Sequence, residues 1–397
     1  MDPSDPEDPS YHGFEPSDSA VRAARARGQL VLLVATGAPP WAEADDRPTT
    51  APAGVWKPNP EAFESFATAL ALRYSGEFAT DAGAVPRVDY YQAWEEPNLP
   101  DRLQPQWVQG EHGPKAYAPQ HYRELLNAFS AGVKSVDPLA EVVAGSTGSI
   151  GDDPFGPRMR PLRFMRELLC LSHRTELRPD PCAESASFDV LAHHPINFQY
   201  PPSRSASDAD DVLVTDFEQV VRTLRAAERL RTIEPGRHPV WATEVGWETD
   251  PPDEDHGVSF SRQARYLQDS FYALEQQGAK AILWSQIVDE ELGKGMVSGQ
   301  QSGLFTASGE RKPSFEAFRF PFAAERTNKR FVRVWTIPPI SGTLSIEAST
   351  GQSWRLVGSH QGNVSKPLAF MLELSGQVRL RAVSPEGESS RSDVVPP

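Results

Sequence analysis

From Gln29 to about Ile287 the chain alternates short apolar runs of strand type with stretches of helical periodicity. The runs are "QLVLLVAT" (29–36), "RVDYYQAW" (87–94), "EVVAGS" (141–146), "FDVLAHH" (188–194), "PVWATEVGW" (239–247) and "AILWSQI" (281–287). Between them Phe63, Phe66, Ala67, Leu70 and Tyr74 form one helical stripe. Phe217, Val220, Val221 and Leu224 form a second, and Ala264, Leu267, Phe271 and Leu274 a third. Pro60 in a first turn and Gly278 after a last one fit helix start and stop chemistry. Apolar strands separated by amphipathic crossovers predict a parallel α/β sheet. With 397 residues, 39% of them hydrophobic, the chain has core enough for one large barrel or two ordinary domains.

After "FPFAAERTNKR" the helical pattern gives way to short alternating runs: "FVRVWTI", "GTLSIEAS", "WRLVGS", "AFMLEL" and "QVRLRAVS". Turn residues separate them, which predicts a small all-β sandwich over 330–397 with Trp335 and Trp354 in its core. The organisation read from the sequence is an acidic, Pro-rich tail (1–15), an α/β domain (16–325) and this accessory sandwich.

A formal charge of -15 argues against phosphate backbones and anionic lipid as partners, so neither nucleic acid nor a membrane surface is expected. No run of about 18 apolar residues exists for a transmembrane helix, and "MDPSDPEDPSYHGFEPSDS" lacks the basic then apolar character of an export signal. Cys170 and Cys182 are twelve positions apart: they are candidates for a disulfide in an oxidising compartment, or else two small buried thiols.

In a barrel of such units, reactive groups gather at the C-terminal ends of the strands. Glu96 follows the run at 87–94, and Glu244 lies near the end of "PVWATEVGW". By strand alternation Val240, Ala242 and Glu244 share one direction, and Tyr90, Gln92, Trp94 and Glu96 share another, so both acids are expected at one mouth. Two facing carboxylates suit glycosidic cleavage, one protonating the leaving oxygen while the other attacks the anomeric carbon or activates water. Such a pair must differ in protonation state. Neither metal nor cofactor is required by that chemistry.

At this point the chain resembles a known family. "YYQAWEEPNL" and "VWATEVGW" resemble the acid/base and nucleophile motifs of glycoside hydrolase clan A, most closely the family 39-like and related cellulase-type enzymes. "LVATGAPPWAEA", "EVVAGSTGS", "FDVLAHHP", "AILWSQIVDE" and "GLFTASGERKPSFEAF" follow in the family's order, over roughly residues 11–322. The resemblance implies a (β/α)8 TIM-barrel domain and a retaining O-glycosyl hydrolase acting on a polysaccharide or oligosaccharide. Carried over position by position, Glu96 is the acid/base and Glu244 the nucleophile. Trp284 matches a sugar-stacking platform, with a core tryptophan as the other reading, and Trp41 is placed similarly. His193 and His194 end the strand that the family counts as its sixth, where a hydrogen-bonding role is expected.

Three departures accompany the match. Glu95 stands where the family has an asparagine that donates to the sugar; an ionised carboxylate cannot donate, so Glu95 either raises the pKa of its neighbour or turns to solvent. Ile196 follows "HHP" where the family often has tyrosine, and Tyr200 is the nearby substitute. The run at 29–36 becomes strand three, so strands one and two are expected to be missing, with "DSAVRAARARG" as a preceding helix capped by Ser17 or Asp18 and stopped by Gly28. This suggests a truncated reading of a longer, exported, extracellular enzyme. A catalytically impaired carbohydrate-binding protein is the alternative. A metal hydrolase built on Asp189, His193 and His194 is disfavoured for want of further ligands.

Overall fold

The computed structural model describes residues 2–397 apart from 153, 173–174, 292–299, 350 and 352. The chain divides into two units: 1–195, 205–243 and 278–281 in the first, and 196–204, 244–277 and 282–397 in the second. The apolar runs form six strands, β1 (Leu32–Ala35), β2 (Tyr90–Ala93), β3 (Glu141–Thr147), β4 (Val190–His193), β5 (Val240–Val245) and β6 (Ala281–Trp284). They lie in one sheet in chain order, so each strand neighbours its predecessor. The pairs β1–β2, β2–β3, β3–β4 and β4–β5 are parallel, with Leu32 opposite Tyr90, Tyr90 opposite Glu141, Leu191 opposite Ala144, and Leu191 also opposite Val240. The β5–β6 pairing is visible in each unit, as Lys280 N–H donating to Val240 (2.8 Å) in the first and Ser285 N–H to Val245 (2.8 Å) in the second. β1 and β6 are its end strands.

In the first unit, α1 (Phe14–Ala26), α2 (Pro60–Arg73), α3 (Ala118–Val136), α4 (Pro161–Leu168) and α5 (Glu218–Leu230) accompany these strands. Asn59 caps α2 by accepting from the Ala62 N–H, with Pro60 at its first position. Gly132 brings α3 against α2: a Cβ there would meet the Glu64 carbonyl at 2.4 Å, so only glycine permits this approach. The buried Tyr122 joins α3 to the sheet, donating to the Ala93 carbonyl (2.6 Å) and accepting from Gly145 N–H (3.2 Å).

The start of α1 differs from the sequence expectation. It begins at Phe14 behind the left-handed Gly13, and Asp18, expected as a cap, lies in its second turn, buried against Arg73 (2.7 Å). The apolar residues Phe14 and Val21 set the helix frame, and Asp18 takes the inward position between them. Ahead of it, Asp2, Asp5 and Asp8 each accept from the backbone N–H two residues on, a staircase of Asx turns generated by the repeating Asp-Pro. Tyr11 comes next and packs on Phe14 (5.5 Å) and Phe66 (5.9 Å). Cys170 and Cys182 are joined as a disulfide, with Cα atoms 5.8 Å apart.

In the second unit, α6 (Phe260–Gln276) and α7 (Pro313–Arg319) precede two antiparallel sheets. One orders β7 (Phe322–Arg326), β8 (Phe331–Thr336) and β11 (Leu368–Glu373); the other orders β10 (Arg355–Gly362), β9 (Gly342–Ser349), β12 (Val378–Val383) and β13 (Asp393–Val395). Alternating Phe322, Val332, Val334, Leu344, Ile346 and Leu380 build the shared core. β7 lies almost wholly within the stretch that the sequence assigns to the α/β domain (16–325), so the all-β part takes in residues before 330. Trp335 turns away from the sandwich core to pack with Leu267 and Phe271 of α6, and Trp354 is half-buried beneath the Arg381 guanidinium (4.3 Å). No helix among the described residues is long and apolar enough to cross a membrane.

Candidate active site

Regular alternation stops at Ala93, and backbone turns direct the residues beyond it. Trp94 (φ 67°) and Glu96 (φ 43°) are both left-handed, a conformation that costs a non-glycine residue on the order of 1–3 kcal/mol and is held by its surroundings. Here the Trp94 N–H donates to Ala35 (2.8 Å), its indole to the Arg102 carbonyl (2.9 Å), and the Glu96 N–H to Ser146 (3.1 Å). The expectation that Trp94 and Glu96 continue the face of Tyr90 and Gln92 is therefore corrected: Trp94 is buried edge-on against Phe63 (5.5 Å), and the turn aims Glu96.

On β3 a bulge at Ser146 (φ 36°) shifts the register, so that Ala192 faces Gly145 and His193 faces Thr147. Gly145 (φ 97°) is obligatory, since a Cβ there would meet the Ala192 carbonyl at 2.4 Å. Successive residues of a strand face opposite ways, and the two histidines have different tasks. His193 is wholly buried, accepting at Nδ1 from the Thr147 hydroxyl (2.9 Å) and donating from Nε2 to the Val212 carbonyl (3.0 Å), which makes it a neutral core residue. His194, also buried, places Nδ1 3.0 Å from Glu96 Oε1. Asp189 accepts from Val142 N–H (2.7 Å) and pairs with Lys134 (2.8 Å), so Asp189, His193 and His194 are engaged separately and form no joint site.

Burial pushes the His193 imidazole down from 6.5 to about 4. Between those values the unfolded chain takes up a proton that the folded chain refuses, so stability falls as pH drops through the window. At about 1.4 kcal/mol per decade of pKa the full loss is on the order of 3 kcal/mol. Urea unfolding at pH 7.5 and 4.5 should show a smaller acid loss for His193→Gln than for wild type; equal losses would refute the assignment.

Glu95 pairs with Arg102 in the same turn (3.5 Å). Asn98, which sequence reasoning passed over, is fully buried: its amide donates to the Gly148 (3.2 Å) and Met159 (2.9 Å) carbonyls and accepts from Gly148 N–H (2.8 Å). It thereby fastens the loop after β3 to the loop after β2. Gly148 is close to the Glu96 carboxylate: a Cβ there would crowd the Leu99 side chain (3.0 Å) and Glu96 Oε1 (3.3 Å). Trp41 sits in a short turn (Pro40–Ala42) after β1, 53% exposed at the rim of a cavity of about 240 Å3 within the first unit.

In the second unit, Glu244 accepts from the Ser285 hydroxyl (3.2 Å) and borders a cavity of about 360 Å3. Phe198, Gln199, Trp247, Glu248 and Ser302 line it as well. Trp284 packs behind this wall, its ring 6.1 Å from Trp247 and 6.4 Å from Phe271, with its indole donating to Ser302 (2.8 Å). Tyr200 lies under the Arg204 guanidinium (3.9 Å), and its carbonyl accepts from the Trp247 indole (2.8 Å). Phe198 and Gln199 stand at the cavity in its stead. Gly246 and Ser302 are the missed contributors here: Gly246 sits inside the apolar run at 239–247, and Ser302 lies well beyond the run at 281–287 with no cue of its own.

No protein-family model matches the chain, and no curated protein matches it. Among solved structures it is similar to a glucosidase from Croceicoccus marinus, at 15% identity and a TM-score of 0.53, over 94% of this chain and 82% of that one. It is also similar to a family 39 glycoside hydrolase from the gut symbiont Bacteroides cellulosilyticus, at 16% identity and a TM-score of 0.55, over 94% and 73%. At this identity the likeness establishes the fold alone: the chain has an α/β fold of the TIM-barrel type.

Proposed function

We propose that the chain is a retaining glycoside hydrolase in which Glu96 is the acid/base and Glu244 the nucleophile. The observation that carries the reading is Glu96 at the C-terminal end of β2, fixed by a buried histidine at 3.0 Å. The similar structures are a glucosidase and a family 39 glycoside hydrolase, which supports a carbohydrate substrate. Glu244 belongs to a later strand of the same sheet and has a cavity and a hydroxyl donor beside it.

In the first step the Glu244 carboxylate attacks the anomeric carbon, the bond to the leaving oxygen breaks, and that oxygen takes the proton of Glu96. In the second, water attacks the same carbon and gives its proton to Glu96, and Glu244 departs as carboxylate. His194 serves both steps. Donating from Nδ1 to Oε1, it fixes the carboxyl rotamer and leaves Oε2 as the oxygen that carries the proton. Glu95, paired with Arg102, is outside the reaction and sets the turn. The disulfide supports work in an oxidising, extracytoplasmic compartment.

The test is hydrolysis of a panel of nitrophenyl β-glycosides, with the anomer of the first-formed sugar read by NMR. Retention is expected. Inversion would remove Glu244 from the nucleophile's role, and oligosaccharide binding without turnover of any substrate would make the chain a binding protein.

A further inference from the structure

The backbone of Phe198 is left-handed (φ 54°), an outlier for a bulky residue, and its ring is nevertheless 47% exposed. Strain of this kind persists where neighbours over-determine it, and it gathers at active sites and ligand clamps. The neighbours here are specific. The buried Asn197 amide donates to the Pro201 carbonyl (2.8 Å), the Tyr200 N–H to the Asn197 carbonyl (3.0 Å) and the Arg204 N–H to the Pro201 carbonyl (3.0 Å). On the outer side, the Trp247 indole donates to the Tyr200 carbonyl (2.8 Å) and the Arg204 guanidinium lies over the Tyr200 ring (3.9 Å). Burying the Phe198 ring would have stabilised the fold. These contacts instead hold it out in water.

The ring lines the cavity bordered by Glu244, and every residue around that cavity belongs to the second unit. A volume of about 360 Å3 is within the range of small-molecule sites. Of the two large aromatic residues that line it, Trp247 is buried and Phe198 is open. Trp284, the platform that the family resemblance implies, has its indole N–H committed to the Ser302 carbonyl (2.8 Å) and its ring against Trp247 and Phe271. Gln199, Gln300 and Ser302 add amide and hydroxyl groups to the same cavity. An open aromatic face with such groups at its edge complements a pyranose, which lays its C–H face on the ring while its hydroxyls are hydrogen-bonded. A furanose, puckered and bearing substituents on both faces, offers no such flat face.

We infer that Phe198 is the stacking platform for the sugar at Glu244, and that this sugar is a pyranose bound through its C–H face. The inference rests on the reading of Glu244 as the nucleophile, which places the reacting sugar in this cavity.

The test measures KM and kcat on nitrophenyl β-glucopyranoside, β-xylopyranoside and α-L-arabinofuranoside. Wild type should favour a pyranoside. Phe198→Ala should raise its KM about tenfold and leave kcat within about twofold, because stacking holds ground state and transition state alike. Phe198→Tyr restores the flat face and should return KM to within about threefold of wild type, whereas Phe198→Leu restores only apolar bulk and should stay near the alanine value. Phe198→Gly suits the left-handed backbone, so it should show the same loss in KM with a melting temperature within a few degrees of wild type. An unchanged KM in Phe198→Ala, recovery by leucine as full as by tyrosine, or a preference for the furanoside would overturn the inference while the hydrolase reading stands. If no glycoside is turned over, calorimetric titration with cellobiose and xylobiose decides the platform. Binding that is lost in Phe198→Ala and kept in Phe198→Tyr supports it even as the hydrolase reading falls, and absence of binding to either sugar overturns it.

Discussion

Glu244→Gln is expected to lower kcat/KM by about 10⁵-fold or more for every substrate, because loss of a nucleophile removes the covalent route whatever the leaving group. Glu96→Gln should behave otherwise. Proton transfer from a positioned acid is worth about 10²–10⁴-fold, and only where the departing oxygen needs the proton. A dinitrophenolate leaves unaided, so the first step on a dinitrophenyl glycoside should stay near the wild-type rate in Glu96→Gln, whereas a methyl glycoside should lose the full factor. The second step then lacks its base and the glycosyl-enzyme accumulates. Azide, which needs no deprotonation, should restore turnover in Glu96→Gln and give a glycosyl azide of retained configuration. In a small-residue variant such as Glu244→Gly, azide takes the nucleophile's place and gives the inverted azide. Equal losses on activated and unactivated substrates, or exchanged azide configurations, would reverse or remove the assignments.

Much of this was legible because period-two apolar runs and period-3.6 stripes are written directly in residue type. The six strands and helices α2, α5 and α6 lie where the runs and stripes predict. The spacing of Cys170 and Cys182 left a bridge and two buried thiols equally open, and the bridge is what forms. Residue type does not encode where a ladder breaks. The bulge at Gly145–Ser146 looks like ordinary strand in "EVVAGST", yet it sets Thr147 opposite His193, whose ring it bonds. The left-handed turn at Glu96 was equally silent, since "WEEPN" does not say that alternation ends at Ala93. Asp18 was misplaced because a short acid before an apolar stripe suits a cap as well as it suits a buried partner, and only Arg73, fifty-five residues away, decides between them. β7 was overlooked because "FAAER" is poor in β-branched residues and is recruited by pairing with β8.

Lys312 was hidden for the same reason, with a larger energy attached. In "SGERKPSFEAF" it looks like a solvated base before a helix, but its side chain is wholly buried. It donates to Asp289 (2.6 Å), to the Thr249 hydroxyl (2.8 Å) and to the Gln301 carbonyl (2.8 Å). Asp289 is itself buried, and it also accepts from Gly303 N–H (2.8 Å). Lys312 therefore ties the segment after β6, which supplies Ser302 to the Glu244 cavity, to the segment after β5. Lys312→Met keeps the length and apolar stem but strands the Asp289 carboxylate, and is expected to cost about 3–5 kcal/mol of unfolding free energy in urea denaturation. Adding Asp289→Asn should return a good part of that loss: the amide oxygen still accepts from Gly303, and no buried charge is left without its partner. The double variant should thus be more stable than Lys312→Met alone, the coupling expected of groups in contact. A single-variant loss under about 1 kcal/mol, the range of exposed pairs, or a double variant weaker than the single, would show that the buried pair does not hold these two segments together.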